Sequence, residues 1–295
     1  MPVAERHQGA KGTRHPRPAA LQGPESAALW THAVKWLESN SGGLSKDELH
    51  SYFSPLKVPP SSFEDLFREM LRSLTDAGMM KKVIVGAMPQ RIDSLKDVTF
   101  GFSPERTYGH YLNDSRALLK DIKSRIGPTG KIRKRKKSLW PKYCKTILST
   151  AKFLQQFAEV KDFYLWMDRM KGDSRLRVAI PLMLSEEVYG CGFALACNIL
   201  IDLEYKEFGK PDRHVRRILE GAGFSMPKAS DYEVLKVMFQ ICDETQIYPF
   251  ALDKALYLIG SGDYFLHNKG EKKLTIPGKR LRTGKFLKYW KKAQR

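Results

Sequence analysis

The chain has 295 residues, with 51 lysines and arginines against 32 aspartates and glutamates, a net charge of +19. That charge excludes an ordinary neutral enzyme surface and implies a polyanionic partner, nucleic acid before an anionic membrane. Hydrophobic residues at 42% and aromatics at 11% supply real cores and exclude a disordered basic protein. The length suggests about two domains at roughly 150 residues each.

Residues 1–25 carry Pro, Gly, His, Arg and Lys with almost no apolar periodicity, and are expected to form a disordered basic tail. A transit peptide there lacks an amphipathic face, and no apolar core of a secretory signal is present. Residues 26–88 read as a small domain. Trp30, Ala33, Val34 and Leu37 share one helical face, and Gly42-Gly43 ends that helix. Ser45 followed by Glu48 forms a capping box for a second helix, with Leu49, Tyr52 and Phe53 inward. Ser62 caps a third, whose stripe is Phe63, Leu66, Phe67, Met70, Leu71 and Leu74, with Gly78 as its stop. Met80 to Val85 then reads as a strand. Three helices and a strand resemble a winged helix-turn-helix, which docks either on duplex DNA or on another protein.

Residues 89–137 read as a basic linker. It ends in Lys131, Arg133, Lys134, Arg135, Lys136 and Lys137 behind Gly127-Pro128-Thr129-Gly130. Such a run contacts phosphates or, in a eukaryote, serves as a nuclear-import signal. Residues 138–268 are helical in pattern, with stripes Ile147, Ala151, Leu154, Ala158, then Val234, Leu235, Met238, Ile241, then Leu252, Ala255, Leu256, Ile259. Residues 269–295 hold eleven Lys and Arg against one Glu and are expected to be a basic tail. The apolar runs are too short for a transmembrane helix, and no membrane partner is expected. Cys144, Cys191, Cys197 and Cys242 contain no CxxC pair, so zinc is not expected and the four read as buried free thiols in a reducing compartment.

The informative segment is 188–220. Val188 precedes Gly190-x-Gly192, Ala196 follows four residues on, and Ile199, Leu200 and Leu203 are apolar. Two glycines let the chain turn tightly between two helices. The amides around them, at Gly190, Gly192, Phe193 and Ala194, then face outward at a helix N-terminus and suit a DNA phosphate. Such a hairpin also packs many helical proteins. Next come Gly209-Lys210-Pro211, then Asp212, Arg213, His214 and Arg217.

Together these residues resemble the helix-hairpin-helix, Gly/Pro-loop, aspartate superfamily of DNA glycosylases. Val188-Tyr189-Gly190-Cys191-Gly192 stands at its L-P-G-x-G hairpin, and Asp212-x-His214 and Arg217 at its D-x-H-x-x-R, with Asp212 20 residues after Gly192. The strict match spans about 35 residues, and 138–268 fits the family's size and helical character. The resemblance implies a mainly α fold, an all-α glycosylase domain behind the winged-helix-like one. It makes Asp212 the catalytic acid, and Arg213 and Arg217 phosphate ligands beside the hairpin amides. Physically, breaking an N-glycosidic bond builds positive charge on the sugar, which a carboxylate stabilises. Asp212 also reads as an ordinary helix N-cap, and the two roles are compatible. His214 reads as structural.

Two departures from the family are informative. Members that also nick the backbone carry a lysine two residues after the second hairpin glycine, where this chain has Ala194. A monofunctional enzyme with water as nucleophile is implied. The iron–sulfur branch needs four cysteines after the aspartate, where only Cys242 stands, so no cofactor is expected. By residue type, Trp140, Tyr143, Gln155, Gln156 and Asp253 are candidates for the pocket that takes a flipped base, with Phe193 and Trp166 behind them. The expected partner is double-stranded DNA, engaged by an intracellular, DNA-associated monomer. Its target is a damaged base in repair or a modified base in foreign DNA. The alternatives are a non-catalytic DNA-binding protein and a winged-helix transcription regulator.

Overall fold

The computed structural model describes residues 23–40, 44–54, 58–76, 80–133, 135, 138–265, 273–275 and 282–294. The described chain is mainly α-helical. In order the helices are α1 (Gly23–Asn40), α2 (Lys46–Tyr52), α3 (Phe63–Leu74), α4 (Met80–Val83), α5 (Pro104–Tyr111), α6 (Ser115–Asp121), α7 (Leu139–Leu154), α8 (Val160–Gly172), α9 (Ala179–Glu187), α10 (Phe193–Asp202), α11 (Arg213–Gly221), α12 (Asp231–Thr245) and α13 (Pro249–Ser261). A two-stranded antiparallel ribbon, β1 (Asp263–Phe265) and β2 (Lys273–Thr275), follows, and α14 (Arg282–Ala293) comes last. Of the expected tail over 1–25, residues 1–22 lie outside the described residues and 23–25 open α1 instead; the glycines 42, 43 and 78, Lys134, Lys136 and Lys137, and residues 269–272, 276–281 and 295 of the expected C-terminal tail also lie outside them.

Local signals set the helix starts. Ser45 and Glu48 form the expected capping box on α2, and the Ser62 side chain accepts from the Asp65 amide at the start of α3. The α3 stripe from Leu66 to Leu74 is buried, and α3 packs on α7 and α10. α1 buries Leu29, Ala33, Trp36 and Leu37 and lies against α12 and α13. The expected inward residues of α12 and α13 are all buried. The N-terminal helices therefore share one core with the C-terminal ones, and Tyr143, fully buried in that core, donates its hydroxyl to Leu71 O at 3.1 Å.

Four sequence expectations are corrected. Met80 to Val85 is not a strand: the Ile84 amide reaches Met80 O at 2.7 Å and closes a helical turn. A lone strand here would leave its backbone groups unpaired, because no partner strand lies beside it among the described residues. The winged-helix reading thereby loses its wing. Residues 89–137 are not merely a linker, since α5 and α6 pack on α7 and bury Tyr111, Leu118 and Leu119. Within 138–268, read as wholly helical, Asp263–Phe265 is a strand. The end of the expected basic tail is α14, docked through buried Phe286 and Trp290, with the Trp290 indole donating to Ala222 O at 3.3 Å. Its apolar residues recur every four positions, a short stripe hidden among lysines.

Candidate active site

The turn between α9 and α10 is built by one glycine conformation and two hydroxyls. Gly190 has φ +78°, in the left-handed region that favours glycine. A Cβ there would meet Thr146 Oγ1 at 3.4 Å, an ordinary contact, so the strain of a substitution lies in the backbone conformation. Thr146 Oγ1 donates to Tyr189 O at 2.8 Å, and the Tyr189 amide donates to Ser149 Oγ at 2.9 Å, so α7 holds the turn from behind. The Cys191 amide closes on Val188 O, and Gly192 is the N-cap of α10 with no side chain to occupy the cap. Among the described residues, the amides of Gly190, Gly192, Phe193 and Ala194 meet no protein acceptor. Unpaired amides at a helix start carry partial positive charge, the kind of group that suits an anion.

The loop from Gly209 to Asp212 is seated on α12 and α13. A side chain at Gly209 would collide with Met238 and come within 2.8 Å of Pro249 O. Lys210 Nζ donates to Asn198 Oδ1 on α10 at 3.3 Å, tying this loop to the hairpin's second helix. Asp212 caps α11: its Oδ1 accepts from the His214 amide at 2.7 Å and the Val215 amide at 3.0 Å. Asp212 is half-buried, and its Oδ2 accepts no hydrogen bond among the described residues. One oxygen is committed to the helix and the other is available for chemistry.

Asp253, one of the base-pocket candidates, lies beneath this loop on the first turns of α13 and is 5% exposed. Its carboxyl accepts the Lys210 amide. Burial pushes it up to about 7, against the pull of Lys254 and with the help of the Asp212 charge. The two acids are thus placed in different environments, the buried one favouring its neutral form. His214 follows on α11, its ring edge-on to Tyr257 at 5.7 Å between centroids, with Nε2 facing the Arg213 guanidinium at 3.2 Å. Burial first, then the charges of Arg213 and Arg217, lower its titration despite Asp212, so the ring is neutral near pH 7. Exposed Arg213 and Arg217 stand one turn apart and rim a cleft of about 550 Å³ with Tyr257, Ser261 and Thr283.

The other pocket candidates are not gathered there. Tyr143 is fully buried core. Trp140 borders a separate cleft with Lys131, Arg133 and Arg135. Gln155 donates to Pro104 O and Gln156 to Glu187, both exposed at the far end of α7. At 1.5 Å per residue, Trp140 and Gln155 are about 22 Å apart along the helix and cannot line one base-sized pocket. Trp166 sits among Phe153, Phe157 and Phe163. Residue type had no power to separate these from Asp253. Missed by sequence reasoning are Tyr257, one turn beyond Asp253, and Tyr52 of α2, whose buried hydroxyl feels both Tyr257 and Asp253. The first carried an i,i+4 signal; the second is a long-range contact with none.

The described residues contain no group of His, Cys, Asp and Glu suited to a metal ion, and the four cysteines are buried free thiols. No described helix is long and apolar enough to cross a membrane.

The site thus joins a glycine-built turn, with unpaired amides at the start of α10, to a half-buried carboxylate with one oxygen uncommitted. No protein-family model matches the sequence, and no curated protein sequence matches it. Among solved structures the chain is similar to the crystal structure of Methanocaldococcus jannaschii 8-oxoguanine glycosylase/lyase in complex with 15mer DNA containing 8-oxoguanine. The identity is 16%, the match covers 78% of this chain and 96% of that one, and the TM-score is 0.43.

Proposed function

We propose that the chain is a DNA glycosylase that hydrolytically excises a damaged or modified base from double-stranded DNA and leaves an abasic site. The observation that carries this reading is Asp212 itself. One oxygen is fixed by two amides of α11, the other is uncommitted, and Lys210 links the loop to the hairpin helix. The hairpin amides, with Arg213 and Arg217, hold phosphates beside the target nucleotide. The target base leaves the stack before reaction. As the N-glycosidic bond breaks, its electron pair leaves with the base, which takes a proton from solvent, to which Asp212 later returns the one it receives from water. Positive charge grows on the sugar, and the Asp212 carboxylate stabilises it. A water oxygen bonds the anomeric carbon and gives a proton to that carboxylate. Asp253, with its buried carboxyl, and Tyr257 stand on the side of α13 that faces this loop and are the proposed walls of the base pocket.

The hydrolytic, monofunctional form rests on Ala194, where a Schiff-base lysine would stand. Lys210 is the nearest ammonium on the site loop, and it is engaged with Asn198. Borohydride treatment of the protein with abasic DNA is expected to trap no covalent complex. Trapping lost in Lys210→Gln would overturn the monofunctional reading and name the nucleophile. The function itself is tested with oligonucleotide duplexes carrying 8-oxoguanine, uracil, alkylated and glycosylated bases, followed by alkali cleavage. Strand cleavage at one lesion by wild type, lost in Asp212→Asn, is the expected result. Duplex binding without excision of any base would favour the non-catalytic DNA-binding reading.

A further inference from the structure

A second basic surface lies outside the hairpin and Asp212. Between α6 and α7 runs a cleft of about 670 Å³ lined by Ser115, Arg116, Leu119, Lys120, Lys123, Pro141 and Lys145. Leu119 and Pro141 make its apolar floor, and four cations stand on its rim. Arg116 and Lys120 are exposed, and Lys123 and Lys145 half-exposed. Among the described residues none of the four has an acidic partner. The nearby acid Asp121 is occupied by Tyr111 and Arg125. Four unpaired cations around one cleft repel each other, and an anion relieves that repulsion.

The cleft is joined to the hairpin through α7. Lys145 Nζ lies 5.2 Å from the centre of the Tyr189 ring, the residue that enters the Gly190 turn. The next residue, Thr146, holds Tyr189 O. Pro141 lies five residues before Thr146, about 7.5 Å along the helix. Lys145 thus stands beside the hairpin turn, and Arg116, Lys120 and Lys123 line the same cleft on its α6 side.

We propose that this cleft is a second phosphate-binding track, which takes the backbone of the same DNA strand beyond the hairpin, independently of sequence. It rests on the DNA-binding reading above and extends that reading to a surface on α6 that neither motif includes. The rim cations neutralise phosphates, and the apolar floor accommodates the sugar edge between them.

The test uses the full chain and a 25-base-pair duplex with a central tetrahydrofuran abasic analogue, with affinity measured across a salt series. Lys120→Gln/Lys123→Gln, at an exposed and a half-exposed position with no acidic partner among the described residues, is expected to keep the wild-type melting temperature. It should lower the log–log salt slope by about 2 and weaken binding several-fold, because about 0.9 counterion is released per phosphate. Lys120→Arg/Lys123→Arg should restore the slope. Ethylation of phosphates on one side of the abasic analogue should interfere with wild type at positions where it does not interfere with the glutamine variant. If wild type binds duplex and the glutamine variant has the same slope and interference pattern, the track is wrong and the DNA-binding reading stands. If wild type shows no salt-dependent duplex binding, that reading fails and takes the track with it.

Discussion

On the proposed function, Asp212 divides its two oxygens between structure and chemistry, and that division makes a clean substitution available. Asparagine is as good an N-cap as aspartate. Asp212→Asn should therefore fold normally, bind duplex DNA at least as tightly, and lose excision by about 100-fold or more, the scale of removing one preorganised charge stabiliser. Asp253 makes a different claim. Its carboxyl stays protonated in the folded chain up to about 7, whereas the unfolded chain ionises it near 4. Between those values the folded state holds a proton that the unfolded state has released. Its contribution to stability is largest below about pH 4, falls as pH rises to about 7, and is constant above. Asp253→Asn removes that loss, so urea unfolding at pH 5 and pH 8 should show the variant gaining at least about 1 kcal/mol on wild type at the higher pH. An unchanged difference between the two pH values would place the Asp253 charge in water.

At the scale of elements, the hairpin and α14 make opposite demands. Gly190→Ala forces a side chain into a left-handed conformation, at a cost of about 1 kcal/mol or more. Its turn should widen and its duplex affinity should fall, measured by melting temperature and fluorescence anisotropy. The capped starts of α2 and α3 were readable because a cap is local: the hydroxyl and the amide it accepts are three residues apart. The strand expected at 80–85 failed for the converse reason. Whether Val83, Ile84 and Val85 extend depends on a partner strand elsewhere in the chain. α14 was hidden because Phe286 and Trp290 are spaced among lysines that dominate composition. Deleting the chain from Lys269 should consequently unfold or strongly destabilise the protein. Phe286→Ala alone should cost about 3–5 kcal/mol in urea unfolding, as burial of a large aromatic implies. Replacing exposed Lys285, Lys288, Lys291 and Lys292 by glutamine should leave stability near wild type. Near-equal stability of Phe286→Ala and wild type would contradict the docking of α14.

Across the whole molecule, the net charge of +19 pointed to a polyanion before any element was placed, and the clustered cations around α7 and α11 give that charge a location. The turn at Gly190 and the Asp212 cap were legible because each is written within a few residues. Tyr52 beneath Asp253, and Lys145 against Tyr189, join residues from distant parts of the chain, and nothing in a single sequence marks such pairs. The base-pocket candidates on α7 show the same limit: aromatic and amide residues are as common in cores and on surfaces as in pockets. The measurement that bears most directly on the proposed function is single-turnover excision from the best lesion duplex by wild type and Asp212→Asn, with duplex affinity determined in parallel. The expected result is excision by wild type, a loss of about 100-fold or more in the variant, and affinity retained in both. Excision by Asp212→Asn within a few-fold of wild type would contradict it.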